Sequence, residues 1–494
     1  MSEIHFVDTT LRDGQQSLWA LGMKTGAMLA IAEQMDQAEF ESMEFFVSIM
    51  IKKYVREHKE NPWVWLREGT KRFRRTRLRY HGGMRSSGSF EKLPSAVTKL
   101  LIERAISHGI TLTRTSDAWN DFQSLRSELQ ELRAIGMETI VNLIYSVSPR
   151  HTDDYYAQKT REAAAIRPYR ICFKDVGGLL MPDRARTLIP VILQNAGDVP
   201  VEFHAHCNNG LAPLCYLEAV RLGIKTLHTA IPPLANGSSQ PAILSMVKNL
   251  RALGHAPVID EAALNPVEEH FTAVAKREGL PLGKPLAYDH DQYRHQVPGG
   301  MISNLRHQLR LVGMEDKLQA TLEEAACVRS EFGYPIMVTP LSQFVATQAA
   351  INVIVGERYK EVTDQVIQYA LGLWGKEAPA VMDSDVKDKI LSRSRAKEYQ
   401  GWVPPELSLK DVRSRFGGPS VSDEELILRV YAGPEPVKAM HAAGQPKPYL
   451  TAKQPLISLI TELCKKKQFS HIAIAKGSLS LTLGKRRPSD RVYP

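Results

Sequence analysis

The stretch "YRICFKDVGGLLMPDRARTLIPVILQNAGDVPVEFHAHCNNG" (169–210) decides the architecture. Two short β-rich runs, YRICFKD (169–175) and PVEFHAHC (200–207), bracket a longer charged, amphipathic segment. That segment is long enough for the crossover that two parallel strands require. Both runs end on groups that carry chemistry: Lys174 and Asp175 in the first, His204 and His206 in the second. Working outward, the same alternation recurs with IHFVDT (4–9), ESMEFFV (41–47), RLRYHG (77–82), ITLTRTSD (110–117), ETIVNLIYS (138–146) and KTLHTAI (225–231). Eight strand–helix units predict an α/β fold, a TIM (β/α)8 barrel over 1–290 with its functional groups on the C-terminal face. An open doubly wound sheet is the competing architecture, but no GxGxxG follows an early strand.

From 291 to 440 the strand signals vanish. MISNLRHQLRLVG (301–313), KLQATLEEAACVRSEFG (317–333), TPLSQFVATQAAINVIVG (339–356) and YKEVTDQVIQYALGLWG (359–375) read as helices closed by glycine. This predicts a mainly helical domain over 291–440, then a linker and docking-like tail over 441–494. In that tail, LISLITELCKKK (456–467) reads as a helix and HIAIAKGSLSLTLGKR (471–486) as a hairpin. The net charge is +9, with much of it in REGTKRFRRTRLRY (67–80) and in the tail. No nucleic-acid motif accompanies it, so a solvated helix face is the expected reading. No apolar run approaches the ~20 residues of a membrane span. Five scattered cysteines without CxxC spacing predict a reduced, cytoplasmic setting with no structural zinc.

His204 and His206 stand at i and i+2, so on a strand both imidazoles leave the same face and can hold one metal. Asp13, in DTTLRDGQQ (8–16), ends the first strand and offers a hard oxygen ligand. Lys174 resists the same scheme, since an ammonium repels a cation. It either pairs with Asp175 or, carbamylated by CO2, becomes an anionic ligand itself.

The chain resembles the carboxyltransferase component of biotin-dependent enzymes: pyruvate carboxylase, the oxaloacetate decarboxylase α-subunit and the transcarboxylase large subunit. The resemblance is carried by DTTLRDGQQSLWA (8–20), SDAWNDFQSL (116–125), IYSVSPRHTDDYY (144–156), CFKDVGGLLMP (172–182), HAHCNNGLAPLCYLEA (204–219) and ANGSSQP (235–241). Past the barrel it continues in YRHQVPGGMISNL (293–305) and EFGYPIMVTPLSQFVATQA (331–349). It implies a divalent metal (zinc, manganese or cobalt) on Asp13, carbamylated Lys174, His204 and His206. It also implies Arg12 and Gln16 as catalytic and substrate-holding groups, and Ser238, where the family has threonine, as the catalytic hydroxyl. The implied function is transfer of CO2 between carboxybiotin and an enolisable acceptor, keto-acid-like or another carbonyl compound.

Two departures shape the expectation. The arginine that binds a keto-acid carboxylate falls at Gly82, so Arg85 or, with another gap, Arg79 would have to replace it. The chain also lacks a biotinylated-lysine segment, VKAMHAAG (437–444) having His441 in its place, and lacks a biotin carboxylase region. Biotin is then expected on a separate carrier protein, the biotin carboxylase subunit on another chain, and this chain as a homo-oligomer. The tail resembles the N-terminal segment of biotin carboxyl carrier subunits, which suggests docking. The rival functions are an oxaloacetate-type decarboxylase, a hydroxymethylglutaryl lyase-like or isopropylmalate-synthase-like enzyme, and a non-catalytic assembly subunit.

Overall fold

The computed structural model describes residues 2–84, 93–311, 313–403 and 406–449, and in the tail Ile460, Leu463, 471–477 and 479–484. Eight strands form in the places the β-rich runs predict: β1 Glu3–Asp8, β2 Ser42–Val47, β3 Arg77–His81, β4 Leu112–Thr115, β5 Glu138–Ile144, β6 Arg170–Asp175, β7 Val201–Ala205 and β8 Thr226–Thr229. Each pairs in parallel with the next, and β1 lies between β8 and β2, which closes the barrel.

Strand periodicity explains how the barrel is filled. Alternate residues such as Phe45, Phe173 and Phe203 face the helical layer, where Phe173 and Phe203 stack at 5.3 Å. The residues between them point inward. Leu112, Ile140 and Cys172 make a small separate apolar cluster. Next to it Glu44, Arg79, Arg114, Glu202, His204 and His228 are all buried, with contacts reaching across the barrel between non-adjacent strands. This interior is polar, so every charge in it needs a partner.

A second core is built from residues 297–399, with the helices Gly299–Leu311, Leu318–Glu331, Leu341–Val355 and Asp364–Ala370. Trp119, from the loop after β4, belongs to that core, and its indole donates to Trp374 O at 3.1 Å. Arg150, from the loop after β5, pairs with Glu377. The most buried tie is Arg329, whose guanidinium donates to Ser146 Oγ at 3.0 Å, Val147 O at 3.0 Å and Pro335 O at 3.3 Å. These contacts hold the helices over the barrel's C-terminal mouth. The chain then returns: Val412, Leu426, Tyr431 and Met440, on helices between Leu409 and Ala443, pack into the barrel's own core.

One predicted helix is shorter than its sequence pattern. Only Asp364–Ala370 of 359–375 is helical, because the Thr363 hydroxyl caps it by accepting from Val366 N at 3.3 Å. At the other end Gly372, with φ +82°, stops it. In the tail, His471–Lys476 and Leu479–Gly484 form the expected antiparallel hairpin. The predicted helix over 456–467 lies outside the described residues, apart from Ile460 and Leu463. No described helix is long and apolar enough to cross a membrane.

Arg329 has no carboxylate partner among the described residues, and burial pushes its pKa down to about 10. Its worth therefore lies in hydrogen bonds to oxygens that are themselves buried. Replacing it, Arg329→Met, is expected to cost about 1–3 kcal/mol in denaturant unfolding. Amide exchange should quicken in residues 297–399 before it does in the barrel strands.

Candidate active site

After β1 the chain turns back over the barrel mouth. Asp8 accepts from Thr10 N at 3.2 Å and from the Thr10 hydroxyl at 2.5 Å. The Thr10 hydroxyl accepts in turn from Ile231 N at 2.9 Å, and the Thr9 hydroxyl donates to Gln240 Oε1 at 2.6 Å. Burial raises the Asp8 carboxyl to about 7, with only these local bonds to oppose it. The π-helical turn Thr10–Gly14 that follows places Arg12 and Asp13 over the barrel axis.

There Asp13 Oδ2 lies 3.2 Å from His204 Nε2 and 3.6 Å from His206 Nε2. Burial opposes the charge on Asp13, but the Arg12 guanidinium beside it holds its carboxyl well below the usual carboxylate range. The Ser17 hydroxyl donates to Asp13 Oδ1 at 3.1 Å, leaving Oδ2 to the histidines and to Arg12 Nη2 at 3.0 Å.

The far nitrogen of each ring fixes what the near one offers. His206 Nδ1 is 2.6 Å from Ser238 O, and a carbonyl only accepts, so in the neutral ring Nδ1 carries the proton and Nε2 is bare. His204 is fixed through a relay. Glu202 Oε1 accepts from His228 Nε2 at 2.9 Å, and His228 Nδ1 faces His204 Nδ1 at 3.1 Å. Burial keeps both rings uncharged, Arg114 adding to it at His204, so His204 donates from Nδ1 and turns a bare Nε2 to Asp13. Arg79 anchors the relay with two bonds to Glu202, at 2.7 and 3.0 Å. Two nitrogen lone pairs and a carboxylate oxygen thus converge, within 4.8 Å of one another. Such a set repels itself unless a cation occupies it, and its donors suit zinc, manganese or cobalt.

Lys174 stands beside His204 in the β6–β7 register and lines the same cavity. The pairing of Lys174 with Asp175 is not formed. Neighbours on a strand point to opposite faces, and the Asp175 carboxylate accepts from Leu179 N at 3.0 Å and Leu180 N at 2.8 Å. Burial, and then Arg114, lowers the Lys174 amine to about 8.

The cavity, of about 420 Å3, has the barrel mouth on one side and Pro298, Met301, Met337, Val338, Thr339 and Ser342 of the second core on the other. Arg12, Gln16 and Ser238 all line it. Arg12 is committed to Glu44 through Nε at 2.7 Å, besides its contact with Asp13. Gln16 Oε1 is buried with no partner, a group waiting for a ligand. The Ser238 hydroxyl donates to Ser17 O at 2.9 Å.

Of the positions weighed for an acceptor-binding cation, Arg85 lies outside the described residues. Arg79 is inside the barrel on Glu202 and does not line the cavity. Gly82 lines it but brings no side chain; a Cβ there would sit 3.0 Å from Tyr80 Oη. The β3 side chain that does face the cavity is His81, whose buried Nδ1 has no partner. Burial, then Arg12, Arg114 and Lys174, hold that ring well below the usual imidazole range. Sequence reasoning missed His81, Glu44, Arg114, Glu202 and His228. The available signal was alternation: Glu202 and Arg79 lie two residues before His204 and His81.

Residues 3–270 match the family model described as HMGL-like, and residues 293–441 match that of the conserved carboxylase domain. The chain is 35% identical over 390 residues to a pyruvate carboxylase subunit of Methanocaldococcus jannaschii, covering 78% of this chain and 68% of the relative. It is 33% identical over 399 residues to the 2-oxoglutarate carboxylase large subunit of Hydrogenobacter thermophilus, covering 80% and 61%. In structure it is similar to the carboxyl transferase domain of Rhizobium etli pyruvate carboxylase with pyruvate, with a TM-score of 0.79 at 24% identity, covering 90% and 77%.

The relay gives a stability expectation. Glu202→Ala leaves Arg79 buried without its carboxylate and His228 without its acceptor. Breaking one side of a buried pair costs about 3–5 kcal/mol, to be read as a lower denaturation midpoint. Glu202→Gln, which can still accept from His228, should lose less.

Proposed function

Because the chain belongs to the biotin-dependent carboxyltransferase family, to which the pyruvate carboxylase relative belongs, we propose that it carries CO2 between carboxybiotin and an enolisable carbonyl acceptor in a multisubunit carboxylase. Biotin arrives on a separate carrier protein, loaded by a separate biotin carboxylase subunit. The observation that supports this most is the convergence of Asp13 and two bare imidazole nitrogens at a cavity lined by Lys174, Arg12, Gln16 and Ser238.

Asp13, His204 and His206 would hold the divalent cation, with Lys174 as a carbamate completing the set. Once bound, the ion supplies Lewis acidity that draws electrons from the acceptor's carbonyl oxygen. The rest falls to the chain's own groups. As the N–CO2 bond of carboxybiotin breaks, the ureido nitrogen takes the proton of the Ser238 hydroxyl. That oxygen takes a proton from the acceptor carbon next to the carbonyl. The resulting enolate, facing the Arg12 guanidinium, attacks the released CO2 and forms the new C–C bond. Gln16 offers its free amide oxygen to orient a donor on biotin or acceptor. The helices over the mouth exclude water, which would otherwise protonate the enolate. Run backwards, the same steps decarboxylate.

The relatives named for pyruvate and for 2-oxoglutarate show that one scaffold serves different acceptors, so the acceptor must be read from this chain's own cavity. The tail, including the hairpin His471–Gly484, is proposed to dock the carrier assembly. The four described cysteines are free, which suits a reduced cytoplasm.

Four outcomes test this reading. Elemental analysis should find about one divalent metal per chain, and His204→Ala should lower it about tenfold or more. Lys174→Ala should lose metal as well, while Lys174→Glu, with a carboxylate near the same place, retains part of it. Ser238→Ala should keep its metal and lose about a hundredfold in biotin-dependent carboxyl transfer. Deleting 450–494 should leave the metal in place and remove co-purification with the biotinylated carrier.

A further inference from the structure

His81 ends β3 at the cavity wall, and the carboxyl-transfer steps leave it unused. Its Nδ1 is buried without a partner. An unmade hydrogen bond at a buried group costs about 1–3 kcal/mol, so a ring kept this way in a ligand cavity is placed for a ligand. The lining side chains of the neighbouring segments carry no charge: Val47, Ser48, Ile49, Ser116, Ala118 and Met301. Charge is already allotted. The described cationic side chains lining the cavity are Arg12 and Lys174. Arg12 is bonded to Glu44 and Asp13, while Lys174 faces the metal-ligand set. A carboxylate beside the reacting carbonyl would meet no free guanidinium among the described residues.

We infer that His81 binds the acceptor beside its reacting carbonyl, and that the group it binds there is uncharged, an ester, thioester or ketone oxygen, in place of a carboxylate. A single ring N–H suits one carbonyl-type oxygen. A carboxylate there would call for the two-pronged, charged grip of an arginine. This inference rests on the carboxyltransferase reading above.

Pyruvate and methyl pyruvate share the reacting methyl ketone and differ in the flanking group, a carboxylate in one and a neutral methyl ester in the other, and they serve as probes. Dissociation constants are measured by titration of the metal-loaded full chain, with metal content and melting temperature determined for every variant. Wild type should bind methyl pyruvate at least as tightly as pyruvate. His81→Ala should weaken methyl pyruvate about fivefold, a lost neutral hydrogen bond, while His81→Gln, which keeps an N–H, stays close to wild type. His81→Arg should reverse the preference, favouring pyruvate about tenfold. A wild-type preference for pyruvate, or an unchanged constant in His81→Ala, overturns the inference. So does a preference for pyruvate that disappears in Arg85→Ala, which moves the recognition to Arg85. Failure of both probes to bind a chain that retains its metal overturns the inference and leaves the carboxyltransferase reading standing. A wild-type chain that holds no metal overturns that reading and the inference with it.

Discussion

The site depends on a buried chain of hydrogen bonds: Arg79 to Glu202, Glu202 to His228, His228 to His204. A histidine ring can present either nitrogen, and only the far partner decides which. By anchoring a carboxylate with a fixed cation and passing one proton preference along two rings, the barrel interior forces His204 to turn a bare nitrogen to Asp13. His206 reaches the same condition more simply, through Ser238 O. Without the relay, His204 could present an N–H to Asp13 and the set would hold together without any ion.

That relay explains why the barrel is filled with charge. Glu44 sits between Arg114 and Arg12, and Glu202 between Arg79 and His228. Each carboxylate is held below the usual range against the push of burial, by Arg114 and Arg12 at Glu44 and by Arg79 and His228 at Glu202. These pairs sit beneath the site and fix its geometry, while the apolar helical layer outside supplies the stability. The second core then completes the cavity from above, fastened by Arg329 and Trp119 to the loops after β5 and β4. Acceptor chemistry is thus divided between a rigid floor and a lid built from another core.

Much of this was legible in the residues. All eight strands were, because alternating β-branched and aromatic runs separated by helical segments leave few other arrangements. His204 and His206 were readable from their spacing at the end of β7, whereas Asp13, expected to end the first strand, sits beyond Asp8 on the π-helical turn Thr10–Gly14. The relay was not: Glu202 and Arg79 look like solvent-facing alternates of ordinary strands, and only closure of the barrel turns that face inward. His228 lies in a strand that offered no motif. His81 was hidden behind Gly82, one residue beyond the last side chain that β3 sends into the cavity. Met337 and Ser342 belong to the cavity through contacts that span the chain, which no local pattern encodes. The return of Val412 and Met440 to the barrel core was hidden for the same reason.

The central claim is that two imidazoles, each fixed by its far partner, and the Asp13 carboxylate converge on one cation. X-ray absorption at the metal edge of the purified chain tests it most directly. The account predicts a shell of nitrogen and oxygen only, with the outer-shell scattering of two imidazole rings, falling to one ring in His206→Ala. Sulfur in the shell, or a hydrated ion with no imidazole scattering, would contradict it.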